Sequence, residues 1–140
     1  MNVLKIIAVV VIVSVLAAAI FLGRVIWYTS GPRMMGEYQA GGAWGTSSLI
    51  LRADHTFNQS VTFTNQFNGK AEGTKSTSGV WVDKGRTLLS KKIEFSPFVS
   101  PSPLNDQKII KHFDTTYGAL GISFGIEVDP GANIYYQKYH

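Results

Sequence analysis

The hydrophobic pattern divides the chain into two unequal parts. From Ile6 to Tyr28 nearly every residue is apolar, and Ser14 is the only polar side chain before Gly23. At 1.5 Å per residue, this segment forms roughly 34 Å of helix, enough to cross a hydrocarbon core of about 30 Å. The pattern therefore predicts one membrane-anchoring helix within residues 1–28.

The end of the apolar segment carries residues typical of a membrane interface. Arginine extends its charged group out of the apolar slab, and amphipathic rings accumulate at headgroup depth. Arg24, Trp27 and Tyr28 are therefore expected to lie at the interface. Small residues let helix backbones approach closely, which favours contact with another membrane protein. Such residues form a patch within the segment: Ala17, Ala18 and Ala19.

A cleaved signal peptide is the alternative interpretation of this segment. Lys5 would then supply the charged region, Ile6–Leu16 the apolar region and Ala17–Ala19 the cleavage site. However, the chain stays apolar after Ala19 and continues with Val25–Tyr28, whereas a mature N-terminus is expected to turn polar. A buried core helix is disfavoured because the segment has no polar face. We therefore favour a retained anchor.

Flanking charges favour one orientation of the anchor. Lys5 follows a very short N-terminal tail and favours a cytoplasmic N-terminus, although Arg24 and Arg33 nearly balance it on the other side. We expect the C-terminal domain to be extracytoplasmic, and periplasmic if the protein is bacterial.

After a juxtamembrane linker at residues 29–35, the pattern changes to the period-two alternation of β-strands. Phe57, Val61 and Phe63 share one face of a strand that forms a hairpin with Ser48–Arg52. Seven or eight short strands separated by Gly, Asn and Asp turns predict an all-β domain over residues 36–140. The expected fold is a small antiparallel meander barrel or a strongly bent sheet.

The second half of the domain is predicted with the same rules. The expected features are a polar loop at Thr64–Thr74, a strand at Ser78–Val82, a turn at Asp83–Gly85, and strands at Thr87–Phe95, Lys108–Phe113, Ala119–Val128 and Ile134–Tyr139. In the strand Ala119–Val128, the apolar residues from Leu120 to Val128 point to one side. Together with Trp81, Phe57 and Phe63, they are expected to fill the interior.

A proline-rich stretch interrupts this pattern at residues 96–107. Its three prolines are incompatible with a sheet ladder, so we expect an exposed loop. The apolar side chains of this loop complete the candidate interaction surface: Phe98, Val99 and Leu104.

Charge and motifs exclude several functions. Without Lys5 and Arg24, the 13 Lys and Arg residues fall to 11, against 9 Asp and Glu, and they form no basic stripe suited to nucleic acid. The sequence has no P-loop, GxSxG, HExxH or zinc-site spacing. His112 and Asp114 would share a strand face, but a solvated hydrogen-bonded pair is favoured over a metal or proton-transfer site. We predict no enzymatic activity and no cofactor.

Several turn and core positions support a family resemblance. They are Gly36-x-Tyr38, Leu49-x-Leu51-x-x-Asp54-x-Thr56-Phe57, Gly79-x-Trp81 and Tyr136-x-Lys138. This pattern resembles the small lipocalin-like β domains of bacterial cell-envelope proteins. It departs from them at His55, where such turns commonly carry Gly, and in the proline-rich insert. The resemblance implies a barrel-like meander and an envelope location, but no activity.

Two functions are retained from these observations. The favoured function is an interaction or accessory subunit of a larger membrane complex, anchored by the helix. The alternative is a lipocalin-like module that binds a small apolar ligand inside the barrel. An enzyme is disfavoured because no catalytic motif supports it.

Overall fold

A computed structural model of the chain describes residues 2–101, 108–120, 123–129 and 134–139. Among these residues, α1 (Val3–Tyr28) and α2 (Gly31–Met34) precede the strands. The strands are β1 (Gly36–Gly42), β2 (Gly45–Leu51), β3 (Thr56–Thr64), β4 (Ala71–Arg86), β5 (Ser90–Ser96), β6 (Phe98–Val99), β7 (Ile109–Ile110), β8 (Phe113–Leu120), β9 (Ser123–Asp129) and β10 (Ile134–Lys138).

Eight strands form a closed antiparallel barrel in the order β1-β10-β9-β8-β5-β4-β3-β2. Strands β6 and β7 form a separate two-stranded sheet. Closure pairs the backbone groups that an open sheet would leave exposed at its edges. The predicted all-β barrel is therefore confirmed, as is a preceding helix that is long and apolar enough to span a membrane.

The barrel has two distinguishable ends. Successive connections alternate between the ends because neighbouring strands are antiparallel. The helices lead into the start of β1, at the end that also holds the β2–β3, β4–β5 and β8–β9 connections. We call this the anchor end. The β1–β2, β3–β4 and β5–β8 connections lie at the opposite end, which we call the far end.

The interior of the barrel is packed with large side chains. The predicted inward face of Phe57, Val61 and Phe63 is confirmed, and Trp81 is buried as well. Aromatic residues contribute much of this burial, which is the largest favourable term in folding. The largest fully buried side chains are Tyr38, Tyr117, Tyr136, Phe57, Phe95, Phe98, Met34, Leu49, Leu51, Ile93, Ile126 and Ile134.

The predicted single strand at Ala119–Val128 is wrong, because the chain reverses direction within it. Strands β8 and β9 form a hairpin in which Ala119 pairs with Phe124. Tyr117 of β8 pairs with Ile126 of β9, and both side chains are buried. The side chains that point into the barrel are thus at odd-numbered positions in β8 and at even-numbered positions in β9. Ile122 and the side chains of Leu120 and Phe124 lie outside the described part of the chain.

The predicted turn at Asp83–Gly85 is also wrong, because β4 continues to Arg86. The register with β5 shifts between Asp83 and Gly85, which is a bulge. The left-handed backbone of Gly85 (φ 109°) accommodates the bulge, and its N–H donates to Asp83 Oδ1 at 3.0 Å. The actual turn lies at Thr87–Ser90. The polar loop predicted at Thr64–Thr74 is shorter in the structure, at residues 65–70, because β4 begins at Ala71 rather than at Ser78.

The linker at residues 29–35 is more ordered than its composition suggests. Residues Gly31–Met34 form one helical turn, and the Met34 side chain is fully buried in the core. The Tyr38 hydroxyl donates a 2.6 Å hydrogen bond to the Met34 carbonyl. The connection between anchor and barrel is therefore part of the packed fold.

Candidate functional site

The segment after β5 turns into the barrel at its far end. Phe98 and Val99 are fully buried, so the prediction that they form an exposed surface is wrong. Phe98 stacks on Phe95 and Phe113, with ring centroids 5.1 and 4.7 Å apart. The prolines keep this segment out of the barrel ladder but leave it free to pair with β7. Leu104 lies outside the described residues.

A glycine in β4 makes room for this inward turn. A Cβ atom at Gly79 would lie 2.1 Å from the carbonyl oxygen of Ser96 and 2.8 Å from Cδ of Pro97. Real Cβ atoms do not approach other atoms this closely, and the Ser96 oxygen belongs to the backbone, so it cannot move aside easily. A side chain at Gly79 would therefore displace the segment that covers the far end.

Gln59 of β3 holds the inserted segment in place. Its Oε1 accepts the Val99 N–H at 2.9 Å, and its Nε2 donates to the Val99 carbonyl at 2.7 Å. A buried side chain thus replaces the ladder bonds that a neighbouring strand would provide. Sequence analysis did not identify Gln59 as important. The available signal was its inward position between Phe57 and Val61, where a polar residue is unusual.

The same glutamine begins a chain of buried hydrogen bonds. Gln59 Nε2 donates to the Tyr136 hydroxyl at 2.9 Å, which lies 2.5 Å from Ser47 Oγ. Because Ser47 donates its proton to the Ser60 carbonyl, the Tyr136 hydroxyl is the donor to Ser47. Burial raises the pKa of Tyr136 to about 12, although the bonds to Ser47 and Gln59 oppose this shift. The interior polar groups are thus engaged with one another and with the inserted segment.

At the anchor end, the β4–β5 hairpin contacts the last turn of α1. Arg86 donates from Nη2 to the Thr29 hydroxyl and to the Ile26 carbonyl, the latter at 3.5 Å. Val25 and Thr29 are both buried, and Thr29 also donates to the Val25 carbonyl at 2.8 Å. The end of the helix is therefore packed, while its preceding turns are exposed.

The predicted interface residues lie close together at this packed end. The Arg24 guanidinium carbon is 5.6 Å from the centre of the Tyr28 ring, and that of Arg33 is 4.1 Å from the Trp27 ring centre. Both contacts are cation–π interactions. Trp27 remains exposed and Tyr28 is half-buried.

The small-residue patch on α1 lies away from the barrel. Its three members are exposed on the helix: Ala17, Ala18 and Ala19. The structure does not bring them together with Phe98 or Val99, which are inside the barrel. Among the described members of the predicted interaction surface, only the three alanines of the helix are therefore exposed.

Two turns expose apolar side chains that sequence analysis did not identify. Phe67 is fully exposed in the far-end loop at residues 65–70, where its N–H donates to Asn65 Oδ1 at 2.9 Å. Leu88 and Leu89 are 75% and 47% exposed in the β4–β5 turn. The sequence predicts a strand at Thr87–Phe95 because the two leucines carry no turn signal.

His112, Glu94 and Lys84 interact at the outer surface of the barrel. His112 Nδ1 lies 3.0 Å from Ser96 Oγ and 3.5 Å from Glu94 Oε1, rather than pairing with Asp114 as the spacing suggested. A hydrogen bond from Lys84 lowers the pKa of Glu94, and His112 adds to this effect. Within the described ranges, no group of three or more His, Cys, Asp or Glu residues is placed to hold a metal ion.

The turn that departs from the lipocalin-like pattern has an unusual backbone. His55 adopts a left-handed conformation (φ 64°), a region that favours glycine. Its ring stacks on Trp81 with a centroid separation of 4.4 Å. Comparison with protein-family models, curated proteins and solved structures found no match to this chain. The resemblance to lipocalin-like domains remains a prediction.

Proposed function

We propose that this protein is a membrane-anchored, non-enzymatic interaction module whose barrel serves as a rigid extracytoplasmic domain of a larger membrane complex. The observation that carries the proposal is the filled interior. Phe98 and Val99 occupy the space where a barrel ligand would bind, and Gln59 forms hydrogen bonds with the backbone N–H and carbonyl of Val99. Binding by such a barrel therefore depends on its outer surfaces.

The packing of the anchor supports its retention in the mature protein. Helix α1 runs through Ala17–Ala19 without interruption and ends beside Arg86. Cleavage after Ala19 would leave a new N-terminus at Ile20, seven residues before Trp27 and still within the helix. We expect added protease to remove the barrel from intact spheroplasts. Protection in spheroplasts combined with digestion after lysis would reverse the proposed orientation.

The proposed partner is another membrane protein that contacts the exposed alanines of α1. Leucine at Ala18 would prevent close helix approach, whereas the same change at Ala8 lies outside the patch. We expect purification in mild detergent, followed by mass spectrometry, to identify a partner that the Ala18→Leu variant loses and the Ala8→Leu variant keeps. Equal recovery of the partner with both variants would argue against the alanine patch as its binding surface.

Phe67 is a second candidate contact, at the far end of the barrel. Its ring is exposed on a loop that Asn65 orders through two backbone hydrogen bonds. An aromatic side chain on an ordered backbone offers a large contact area, and less conformational entropy is lost on binding than for a flexible loop. Phe67→Ala should therefore weaken partner recovery. Saturable binding of fatty acids or apolar dyes by the native protein would instead favour the alternative ligand-binding function.

A further inference from the structure

The turn between β4 and β5 presents apolar side chains in an unusual place. Residues Thr87–Ser90 connect two strands at the anchor end, where hairpin turns are usually polar. Leu88 and Leu89 are 75% and 47% exposed. A pair of adjacent exposed leucines at a protruding tip therefore requires an explanation beyond the packing of the barrel.

Hydrogen bonds fix the shape of this turn. The Thr87 N–H donates to the Ser90 carbonyl at 2.8 Å, and the Ser90 N–H donates to Thr87 Oγ1 at 3.1 Å. The hydroxyls of these residues are 2.6 Å apart. The polar groups of Thr87 and Ser90 are thus hydrogen-bonded to each other, and the leucines between them project outward.

The position of the turn relative to α1 identifies its surroundings. Arg86 contacts the Ile26 carbonyl and the Thr29 hydroxyl, so the base of the tip lies beside the last turn of α1. From Arg86 to Leu88 the chain extends by at most roughly 7 Å. The leucines therefore lie within this distance of the level where the anchor is expected to leave the membrane.

The charges next to the tip suit an anionic membrane surface. The segment from Lys84 to Lys92 contains four basic residues and no acidic residue. Lys84 and Lys91 form ion pairs with Glu94 and Asp83, at 3.1 and 2.6 Å. Because the basic residues outnumber these two acids, the hairpin has a net positive charge, which favours contact with anionic headgroups.

We infer that Leu88 and Leu89 insert into the headgroup and acyl-chain boundary of the membrane that holds α1. Together with the helix, they give the barrel a second point of contact and set its tilt on the bilayer. Insertion to about 5–10 Å is typical of interfacial apolar side chains. The inference rests on the proposed function, since it requires α1 to be a retained anchor.

Cysteine labelling tests this inference directly because the chain contains no cysteine. The full chain is reconstituted in vesicles of phosphatidylcholine and phosphatidylglycerol that carry nitroxides at two depths, near the top and near the end of the acyl chain. An environment-sensitive fluorophore is attached to one of three variants, Leu88→Cys, Val15→Cys or Phe67→Cys. We expect loss of fluorescence at Leu88 and Val15, but not at Phe67 on the far end.

The three labels separate the inference from the proposal on which it rests. Quenching at Val15 without quenching at Leu88 would overturn membrane insertion of the turn and leave the anchor intact. An unquenched label at Val15 would contradict the anchor itself. Equal quenching at Phe67 and Leu88 would also overturn the inference, because the barrel would then lie on its side.

A second pair of variants tests whether the leucines cause the contact. In the labelled Leu88→Cys chain, Leu89→Glu should reduce quenching because a carboxylate resists burial among acyl chains. Leu89→Met is the matched control and should preserve quenching. Both positions are exposed, so neither change disturbs the core. Unchanged quenching with Leu89→Glu would contradict insertion by these side chains.

Discussion

At each end of the barrel, the segment next to β5 carries two adjacent apolar residues, and the two pairs differ in exposure. At the far end, Phe98 and Val99 turn inward and are fully buried, and Gln59 binds the backbone of Val99. At the anchor end, Leu88 and Leu89 point outward beside the last turn of α1. Burial of an exposed leucine pair in an apolar phase is favourable. The comparison therefore supports the proposal that Leu88 and Leu89 at the anchor end insert into lipid.

The strongest test of far-end closure compares two phenylalanines. Phe98→Ala removes a fully buried ring and should lower the free energy of unfolding by about 3–5 kcal/mol, much of a typical 5–15 kcal/mol. Phe67→Ala is the matched control, because its ring is fully exposed; it should change stability by about 0.5 kcal/mol or less. Urea unfolding in detergent measures both. Similar values would show that the far end is not closed by Phe98.

Trp81 is the buried aromatic residue that tests packing toward the anchor end. Its indole donates to the Arg52 carbonyl at 3.2 Å and its ring stacks on His55, so it closes the β2–β3 turn. Trp81→Ala should lower stability by at least about 3 kcal/mol. Val82→Ala, one residue later and pointing outward, is the control. A stable Trp81→Ala protein that also binds apolar ligands at micromolar concentration would favour a carrier.

Alkaline pH should weaken the far end through Tyr136. Its hydroxyl is buried, and its pKa is raised from 10.0 to about 12. The unfolded chain therefore loses this proton first. The stabilisation is complete below pH 10, declines as pH rises toward 12 and is lost above it, a change of roughly 3 kcal/mol.

The control for this titration is Tyr136→Phe, which lacks the ionising group. Its stability should decline less between pH 10 and pH 12 than that of the native protein. Some decline should remain because burial also raises the pKa of Tyr38 and of Tyr117. Identical pH profiles for the two proteins would show that Tyr136 is not buried in the folded state.

The smallest effect is expected at Gln59. Gln59→Leu leaves the buried N–H and C=O of Val99 without their side-chain partner and should cost about 1–3 kcal/mol. Gln39→Leu is the control, because Gln39 is exposed on β1. Amide hydrogen exchange should also become faster at Val99 in the Gln59 variant. Unaltered exchange there would mean that another group holds the inserted segment.

Local sequence patterns were sufficient to predict the structure of several parts of the molecule. The apolar run that became α1 is recognisable because insertion depends on composition and length. The hairpin of β2 and β3 is recognisable because Phe57, Val61 and Phe63 alternate and the turn residues Ala53–Thr56 directly precede them. These features depend on neighbours within a few residues, which a single chain displays openly.

Features that depend on distant residues were predicted incorrectly or not at all. Asp83 and Gly85 have turn composition, but pairing with β5 converts them into a bulge, and the turn moves to Thr87–Ser90. The same shift places Leu88 and Leu89 at an exposed tip. Composition alone does not distinguish a bulge from a turn, since both accept glycine with a left-handed backbone.

The inward course of Phe98 illustrates the physical reason. Prolines around it rule out barrel pairing, and local rules then suggest an exposed loop. Its burial depends on space at Gly79 and on hydrogen bonds from Gln59, 40 residues from Val99 in the chain. Periodicity records which side chains prefer to leave water. Which cavity receives them is set by strand register and barrel closure, and these arise only when distant segments meet.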